Sequence, residues 1–483
     1  MTEITARNEP LNHRELLHTE NLTYRYPAPQ QERGLDAVSL DVGPGEAVLL
    51  SGPSGCGKST LARCLTGLIP HLYHGQLQGT VQVNGMDTVG SPLWQLAEAA
   101  GMVFQNPASQ MLSATVEGEI IFGLENLGLD RETIRERLDE TISRFGLTGL
   151  RDRVPLTLSG GEQQRLALAS VVARRPSVLV LDEPLSMLDS TAVVNLTAHL
   201  ADLKSEGASV VVCEHRTEPL RAIPGLRTVV LGGDGEACVR TEMPQGPFPA
   251  RVVEPFVLDL SGLTVRLGGR EILQNLDWTV AGGTVVAIVG RNGAGKTTLL
   301  RALAGLQSYS GEVTVDGQSP DLRMVFQNPD LQLFNPSVRD EILYRIDEPD
   351  MARYEWLVQS LGLVGYEDTP PLLLSEGEKK RLVLATVLMR GARHGVLLDE
   401  PALGQDRAHK LRLVHLMRAL ADAGQLVIMT THDFSLARKA DRIVVMGEGG
   451  FLADGEPEAV LADGAVWRRS GLVVPEWLDE VVL

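Results

Sequence analysis

The chain has 483 residues, 43% hydrophobic and 22% charged, a globular composition too long for one ordinary domain and comfortable for two or three. Its 62 acidic and 44 basic side chains leave a formal charge of −18, which argues against a nucleic-acid partner because binding phosphate backbones needs a basic surface. No run of 18 apolar residues is present to cross a bilayer, the polar N-terminus carries no signal-peptide core, and the four cysteines (Cys56, Cys64, Cys213, Cys238) lack metal spacing and are too few for a disulfide framework, so a cytoplasmic protein is expected.

In chain order, the apolar run Ala47-Val-Leu-Leu50 reads as a strand and leads into Gly52-Pro-Ser54-Gly55-Cys-Gly57-Lys58-Ser59, which fits G-x-x-x-x-G-K-[ST]. Glycines in such a loop let successive N–H groups turn inward on phosphate oxygens, and the helix opening at Thr60 adds its positive end. Lys58 would reach the β- and γ-phosphates, and the Ser59 hydroxyl would bind Mg²⁺. Next come an alternating strand between Gly79 and Gly85, then Val103-Phe-Gln105-Asn-Pro107. Leu158-Ser159-Gly-Gly161-Glu162 begins a helix, with Ser159 as its cap and Glu162 completing a capping box. The buried-strand run Val178-Leu-Val-Leu-Asp182 is followed by Glu183-Pro184, and later by Glu214-His215.

Proline and glycine then concentrate in Met243-Pro-Gln-Gly-Pro-Phe-Pro249, and the landmarks start again. Val285-Val-Ala-Ile-Val289 precedes Gly290-Arg-Asn292-Gly293-Ala-Gly295-Lys296-Thr297, with Thr298 opening the helix. An alternating strand lies between Gly311 and Gly317, Gln327 sits in Val325-Phe-Gln-Asn-Pro329, and Ser375 and Gly377 sit in Leu374-Ser-Glu-Gly-Glu378. Asp399 and Glu400 end another apolar run, and Thr431-His432 closes the series. Glu183 to His215 and Glu400 to His432 both span 32 residues, whereas Lys58 to Gln105 spans 47 and Lys296 to Gln327 spans 31. Constant spacing near the chemistry and variable spacing elsewhere is what a duplicated domain with free surface loops produces. The expected organisation is a tail over 1–15, a domain over 16–237, a linker over 238–255 and a second domain over 256–483, each domain of α/β class.

Taken together, these motifs resemble a tandem pair of ATP-binding-cassette (ABC) nucleotide-binding domains, and the resemblance covers nearly the whole chain. It implies P-loop domains, each with an α/β core and a helical subdomain, that form an internal pseudo-two-fold dimer and hydrolyse ATP with Mg²⁺. Asp182 and Asp399 would hold Mg²⁺ through water, and Glu183 and Glu400 would polarise the attacking water as general bases. His215 and His432 would contact the γ-phosphate, while Gln105 and Gln327 would approach Mg²⁺ and the water. Tyr26 lies where an aromatic stacks on adenine, and aligning the halves puts Leu267 in its place. Each signature closes on the opposite nucleotide, so one site would join Lys58, Asp182, Glu183 and His215 with Ser375 and Gly377. The other would join Lys296, Asp399, Glu400 and His432 with Ser159 and Gly161. All catalytic groups occur twice, yet Leu267 and the Glu376 that replaces Gly160 make two competent but unequal sites the expectation.

Within that family the chain looks like the ATPase component of an energy-coupling-factor (ECF) importer. The segments carrying this are Gln105-Asn-Pro-Ala-Ser-Gln110, Ala114-Thr-Val-Glu-Gly-Glu119, Phe122-Gly-Leu-Glu-Asn126, Gln327-Asn-Pro-Asp-Leu-Gln332, Ser337-Val-Arg-Asp-Glu341 and Ser470-Gly-Leu-Val-Val-Pro475. The resemblance implies an integral membrane coupling subunit, a substrate-capturing membrane subunit, a vitamin or transition-metal cargo, and a place on the inner face of the membrane. Met111, Leu112, Ile120, Ile121 and Phe122 then belong either to the core or to the surface that receives the membrane partner. Sugar-importer ATPases are disfavoured by the Gln-Asn-Pro segments and the intact second phosphate loop. Soluble tandem ABC ATPases acting on ribosomes or nucleic acid are disfavoured by the short linker and the negative charge.

Overall fold

A computed structural model describes residues 15–27, 34–53, 55–186, 188–232 and 253–474. Ser54, the N-terminal tail up to 14 and most of the expected linker therefore lie outside the described residues. The chain divides into two compact units, Met1–Leu185 with Asn195–Gly235, and Ser186–Val194 with Glu236–Leu483.

In the first unit, five parallel strands lie in the spatial order Ala100–Val103, Val178–Asp182, Ser209–Cys213, Ala47–Ser51, Leu226–Val230. Val178–Asp182 and Ser209–Cys213 are buried at every position, which is why the stretches 178–181 and 210–213 within them are unbroken apolar runs. A second, antiparallel sheet pairs Leu17–Arg25 with Gly34–Val42 and with Gln76–Val83, the alternating strand anticipated between Gly79 and Gly85. Helices Val116–Asn126, Arg131–Arg144 and Gly160–Val172 form the helical part between Gln105 and Asp182.

The second unit repeats the plan with Leu322–Val325, Gly395–Asp399, Leu426–Thr430, Val285–Gly290 and Arg442–Met446 in parallel order, and Phe451–Gly455 antiparallel at the edge. Along Val285–Gly290, Val285, Ala287 and Val289 enter one apolar cluster while Val286 and Ile288 enter another. The two-residue period of a strand thus feeds a core on each face of the sheet. The unequal lysine-to-glutamine intervals also have a structural origin. Between its alternating strand and its glutamine strand the first unit inserts Met86–Asp87 and the helix Leu93–Ala99, whereas the second passes from Ser310–Val315 to Leu322–Val325 without a helix.

Candidate functional site

Parallel strands put their carboxyl ends at one edge of the sheet, where ligands of open α/β sheets bind. In the first unit, Gly52 follows Ala47–Ser51, Gln105 follows Ala100–Val103, Glu183 follows Val178–Asp182 and His215 follows Ser209–Cys213. Four motifs separated by up to 163 residues are thereby gathered at one edge.

The phosphate loop ends at Gly57, whose φ of +97° and a Cβ position only 2.5 Å from Leu35 Cδ2 exclude any larger residue. Gly295 repeats this, with φ +97° and Leu273 Cδ2 at 2.7 Å. Helices Lys58–Leu65 and Lys296–Leu303 start immediately afterwards. Lys58 Nζ donates to the carbonyls of Gly52 (2.8 Å) and Pro53 (3.0 Å), and Lys296 Nζ to those of Gly290 (2.7 Å) and Arg291 (3.1 Å). Each ammonium thus spans its own loop, and burial lowers the pKa of Lys296. Gly55 and Gly293 take φ of +82° and +84° with open space around them, and Asn292 lies in the same loop as Gly293.

Beside each lysine stands a hydroxyl–carboxylate pair. Ser59 Oγ donates to Asp182 Oδ1 at 2.9 Å, and Thr297 Oγ1 to Asp399 Oδ1 at 3.1 Å. Asp399 also accepts from Thr430 Oγ1 at 2.7 Å. The next residue turns sharply, since Glu183 and Glu400 both hold left-handed backbone, with φ of +47° and +50°. His215 Nε2 lies 3.2 Å from Glu183 Oε1, and His432 Nε2 lies 3.3 Å from Glu400 Oε1. Gln105 Nε2 donates to Glu183 Oε2 at 2.6 Å. The second unit departs here, because Gln327 is exposed and makes no hydrogen bond to Glu400 among the described residues.

The carboxylates are crowded and dry. Burial and the neighbouring Glu183 charge push the Asp182 carboxyl up to about 6. Burial pushes Glu400 up to about 7 against the pull of Lys296, with Asp399 adding to the rise. Both groups keep a proton in the fold at pH values where the unfolded chain has released it. Stability measured without nucleotide therefore falls, through these two groups, as pH rises from about 4 to about 7. For Asp182 the displacement corresponds to about 3 kcal/mol favouring the neutral form. Asp182→Asn and Glu400→Gln should flatten the decline and raise the melting temperature at pH 7.5 relative to wild type, as thermal melts from pH 5 to 8 would show. An unchanged slope in both variants would contradict these environments.

The remaining expected residues are placed by their own elements. Ser159 and Ser375 cap helices Gly160–Val172 and Glu376–Arg390 through complete capping boxes with Glu162 and Glu378. Gly161 and Gly377 lie in the first turns of those helices. Tyr26 directs its hydroxyl to Thr60 Oγ1 (3.2 Å) and accepts from Arg63 (3.0 Å), so it flanks the first phosphate-loop helix, whereas Leu267 ends an exposed hairpin. Thr298 is the third residue of the second phosphate-loop helix.

Two pairs of bracing residues had no role assigned from sequence. Gln110 Oε1 accepts from Phe104 N–H at 2.9 Å and Gln332 Oε1 from Phe326 N–H at 2.8 Å, each fixing the residue just before the motif glutamine. Glu119 Oε2 accepts from Leu112 and Ser113 N–H, and Glu341 Oε2 from Phe334 and Asn335 N–H, at 2.8 to 2.9 Å. The signal was available, because all four residues recur at matching offsets in the two halves.

Comparison with known proteins agrees with this geometry. The family model described as "ABC transporter" matches residues 35–186 and again 273–403. A Treponema denticola protein named as an ABC transporter ATP-binding protein is 34% identical over 90% of this chain and 96% of its own length. The chain belongs to the ABC transporter family. It carries two ABC ATPase domains, binds ATP and is an ATPase. A Bacillus subtilis relative named for HMP/thiamine import, the ATP-binding protein YkoD, is 32% identical over 96% of both chains. Among solved structures, the ABC protein titled "RNase-L Inhibitor" is similar with TM-score 0.61 and 22% identity over 90% of both chains. A ribosome-bound archaeal Pelota and ABCE1 model is similar with TM-score 0.67 and 20% identity, covering 91% of this chain and 79% of that one. At such identities these two likenesses speak for the tandem ABC fold alone. Among the described residues, no helix of this ABC ATPase is long and apolar enough to cross a membrane.

Proposed function

We propose that this ABC ATPase is the energy-coupling subunit of an ECF-type membrane importer, with both ATPase domains, 16–237 and 256–483, fused in one chain. The observation that carries the reading is a duplicated apolar surface. Leu112 and Phe122 are 72% and 47% exposed, Leu331 and Phe334 64% and 66%, while Ile120 is buried and Met111 and Ile121 lie between. Buried Glu119 and Glu341 hold the turns that present Leu112 and Phe334, so these apolar side chains face outward on a fixed backbone. The import function named for the Bacillus subtilis relative, matched over its length, supports the same reading. The partners are then an integral membrane coupling subunit and a substrate-capturing subunit at the inner face of the membrane, and the cargo is a vitamin or transition-metal ion.

In this reading Lys58 and Lys296 leave their loop carbonyls to hold the β- and γ-phosphates. Glu183 and Glu400 accept a proton from the attacking water, Gln105 and Gln327 orient that water, and His215 and His432 contact the γ-phosphate. The hard oxygen donors Ser59 with Asp182, and Thr297 with Asp399, already in mutual contact, fit Mg²⁺. When bound, Mg²⁺ would neutralise charge on the β- and γ-phosphates. Tyr26 stacks on adenine, and Ser375 with Gly377 and Ser159 with Gly161 complete the two sites, so ATP closes the domains and hydrolysis opens them.

Recovery of the tagged chain from detergent-solubilised native membranes tests this. One or two small integral membrane proteins should accompany it. In the double variant Leu112→Glu/Phe334→Glu that recovery should fall about tenfold or more, as loss of apolar anchors predicts, with basal ATPase activity within about twofold of wild type. Recovery of ribosomes without membrane protein would overturn the importer reading in favour of a soluble tandem ABC ATPase.

A further inference from the structure

Glu214 immediately precedes His215 and is buried to 3% exposure. Its Oε1 accepts from the N–H groups of His215 (2.8 Å) and Arg216 (3.0 Å), and its Oε2 accepts from Leu185 N–H at 3.2 Å. Arg216 Nη1 returns a hydrogen bond to the Leu185 carbonyl at 3.2 Å. Both backbone polar groups of Leu185, two residues beyond Glu183, are thus engaged by side chains flanking His215.

The second unit is wired differently. Thr431 stands where Glu214 does, and its hydroxyl accepts the local Asp433 N–H at 3.0 Å. Asp433 replaces Arg216 and pairs with Lys410 at 2.6 Å. The segment after Glu400 is held instead by the signature helix, through Lys380 Nζ to the Leu403 carbonyl (2.8 Å) and Gln405 Nε2 to the Gly377 carbonyl (3.1 Å).

We propose that Glu214 and Arg216 are positioning residues that lock His215 to the segment following Glu183, so that in the first unit γ-phosphate sensing and the placement of Glu183 move as one body. This rests on the reading of Glu183 and His215 as parts of a hydrolytic site. In the second unit His432 N–H reaches Glu400 Oε2 directly (3.3 Å), and the segment after the acidic pair is held by its own signature helix, so the two halves make this link by different routes. A carboxylate accepting three N–H groups in a dry setting is a stiff tie, and a small misplacement of a catalytic group is expensive in rate.

Glu214→Thr isolates the effect. Thr431 shows that threonine keeps the local turn bond while giving up the link to Leu185. In the full-length chain kcat should fall about tenfold, with KM for ATP and the melting profile within about twofold and a few degrees of wild type. Glu214→Gln, which can still accept from His215 and Arg216, should recover part of that loss. Arg216→Ala should lower kcat alone and add little on top of Glu214→Thr, because both cut the same tie. Arg216→Ala also keeps the test decisive if Glu214→Thr does not fold. Unchanged kcat in Glu214→Thr and Arg216→Ala, or a loss carried by KM, would overturn the clamp. Failure of the underlying reading is separable, since it would show as full turnover in Glu183→Gln.

Discussion

Glu183→Gln should lower steady-state ATP turnover by about 10²-fold or more, whereas Glu400→Gln should leave a substantial fraction of it at pH 7. A general base contributes roughly 10²- to 10⁴-fold to rate when it is ionised and aimed. Glu183 is gripped on both oxygens, by the Gln105 amide at 2.6 Å and by His215 at 3.2 Å. Glu400 lacks the glutamine contact, taking the His432 N–H on that oxygen instead (3.3 Å), and burial pushes its pKa up to about 7, so near neutrality it retains a proton part of the time. A burst measured at pH 7 with Mg²⁺-ATP should therefore vanish in the first variant and only shrink in the second. The activity remaining in Glu183→Gln should rise between pH 6 and 8 as Glu400 loses its proton. Equal losses in the two variants would show that the halves contribute alike.

Replacing either phosphate-loop lysine should be comparably severe but should appear in binding. Lys58 and Lys296 are buried, and each is satisfied by two loop carbonyls. Truncating one partner of a buried, hydrogen-bonded charge pair costs about 2–5 kcal/mol. Lys58→Ala and Lys296→Ala should each weaken nucleotide affinity at the altered site by about 10²- to 10³-fold, read by titration with a fluorescent ATP analogue. Loss of one of two binding steps, with the other retained, is the expected pattern. Two undiminished steps would remove the lysines from the phosphate site.

Much of the site was legible because its residues end strands. An unbroken apolar run such as Val178–Asp182 announces a strand buried on both faces, and the polar residue that stops it must lie at the sheet's carboxyl edge. At that edge Asp182 meets Ser59, and Gln105 and His215 meet Glu183. What stayed hidden depends on the chain folding back over a few residues. Gln110 returning to Phe104 and Glu119 to Leu112 leave no periodic trace, although their repetition at Gln332 and Glu341 marks them. Nothing in the sequence marks Glu214 as a brace, since its partner Leu185 lies 29 residues away. The difference between Gln105 and Gln327 was equally invisible, because identical Val-Phe-Gln-Asn-Pro segments end in different side-chain environments.

The left-handed backbone at Glu183 and Glu400 has an evolutionary edge. Glycine would adopt φ near +50° at both positions without strain, and at Glu400 it would also relieve a carboxyl that burial disfavours, so the backbone at these corners would be more comfortable without the proposed base. A population selected only for heat resistance would drift away from glutamate there, and its survivors would be sturdier proteins that no longer turn over ATP. On the roles proposed above, glutamate at these two corners serves work rather than the architecture around it.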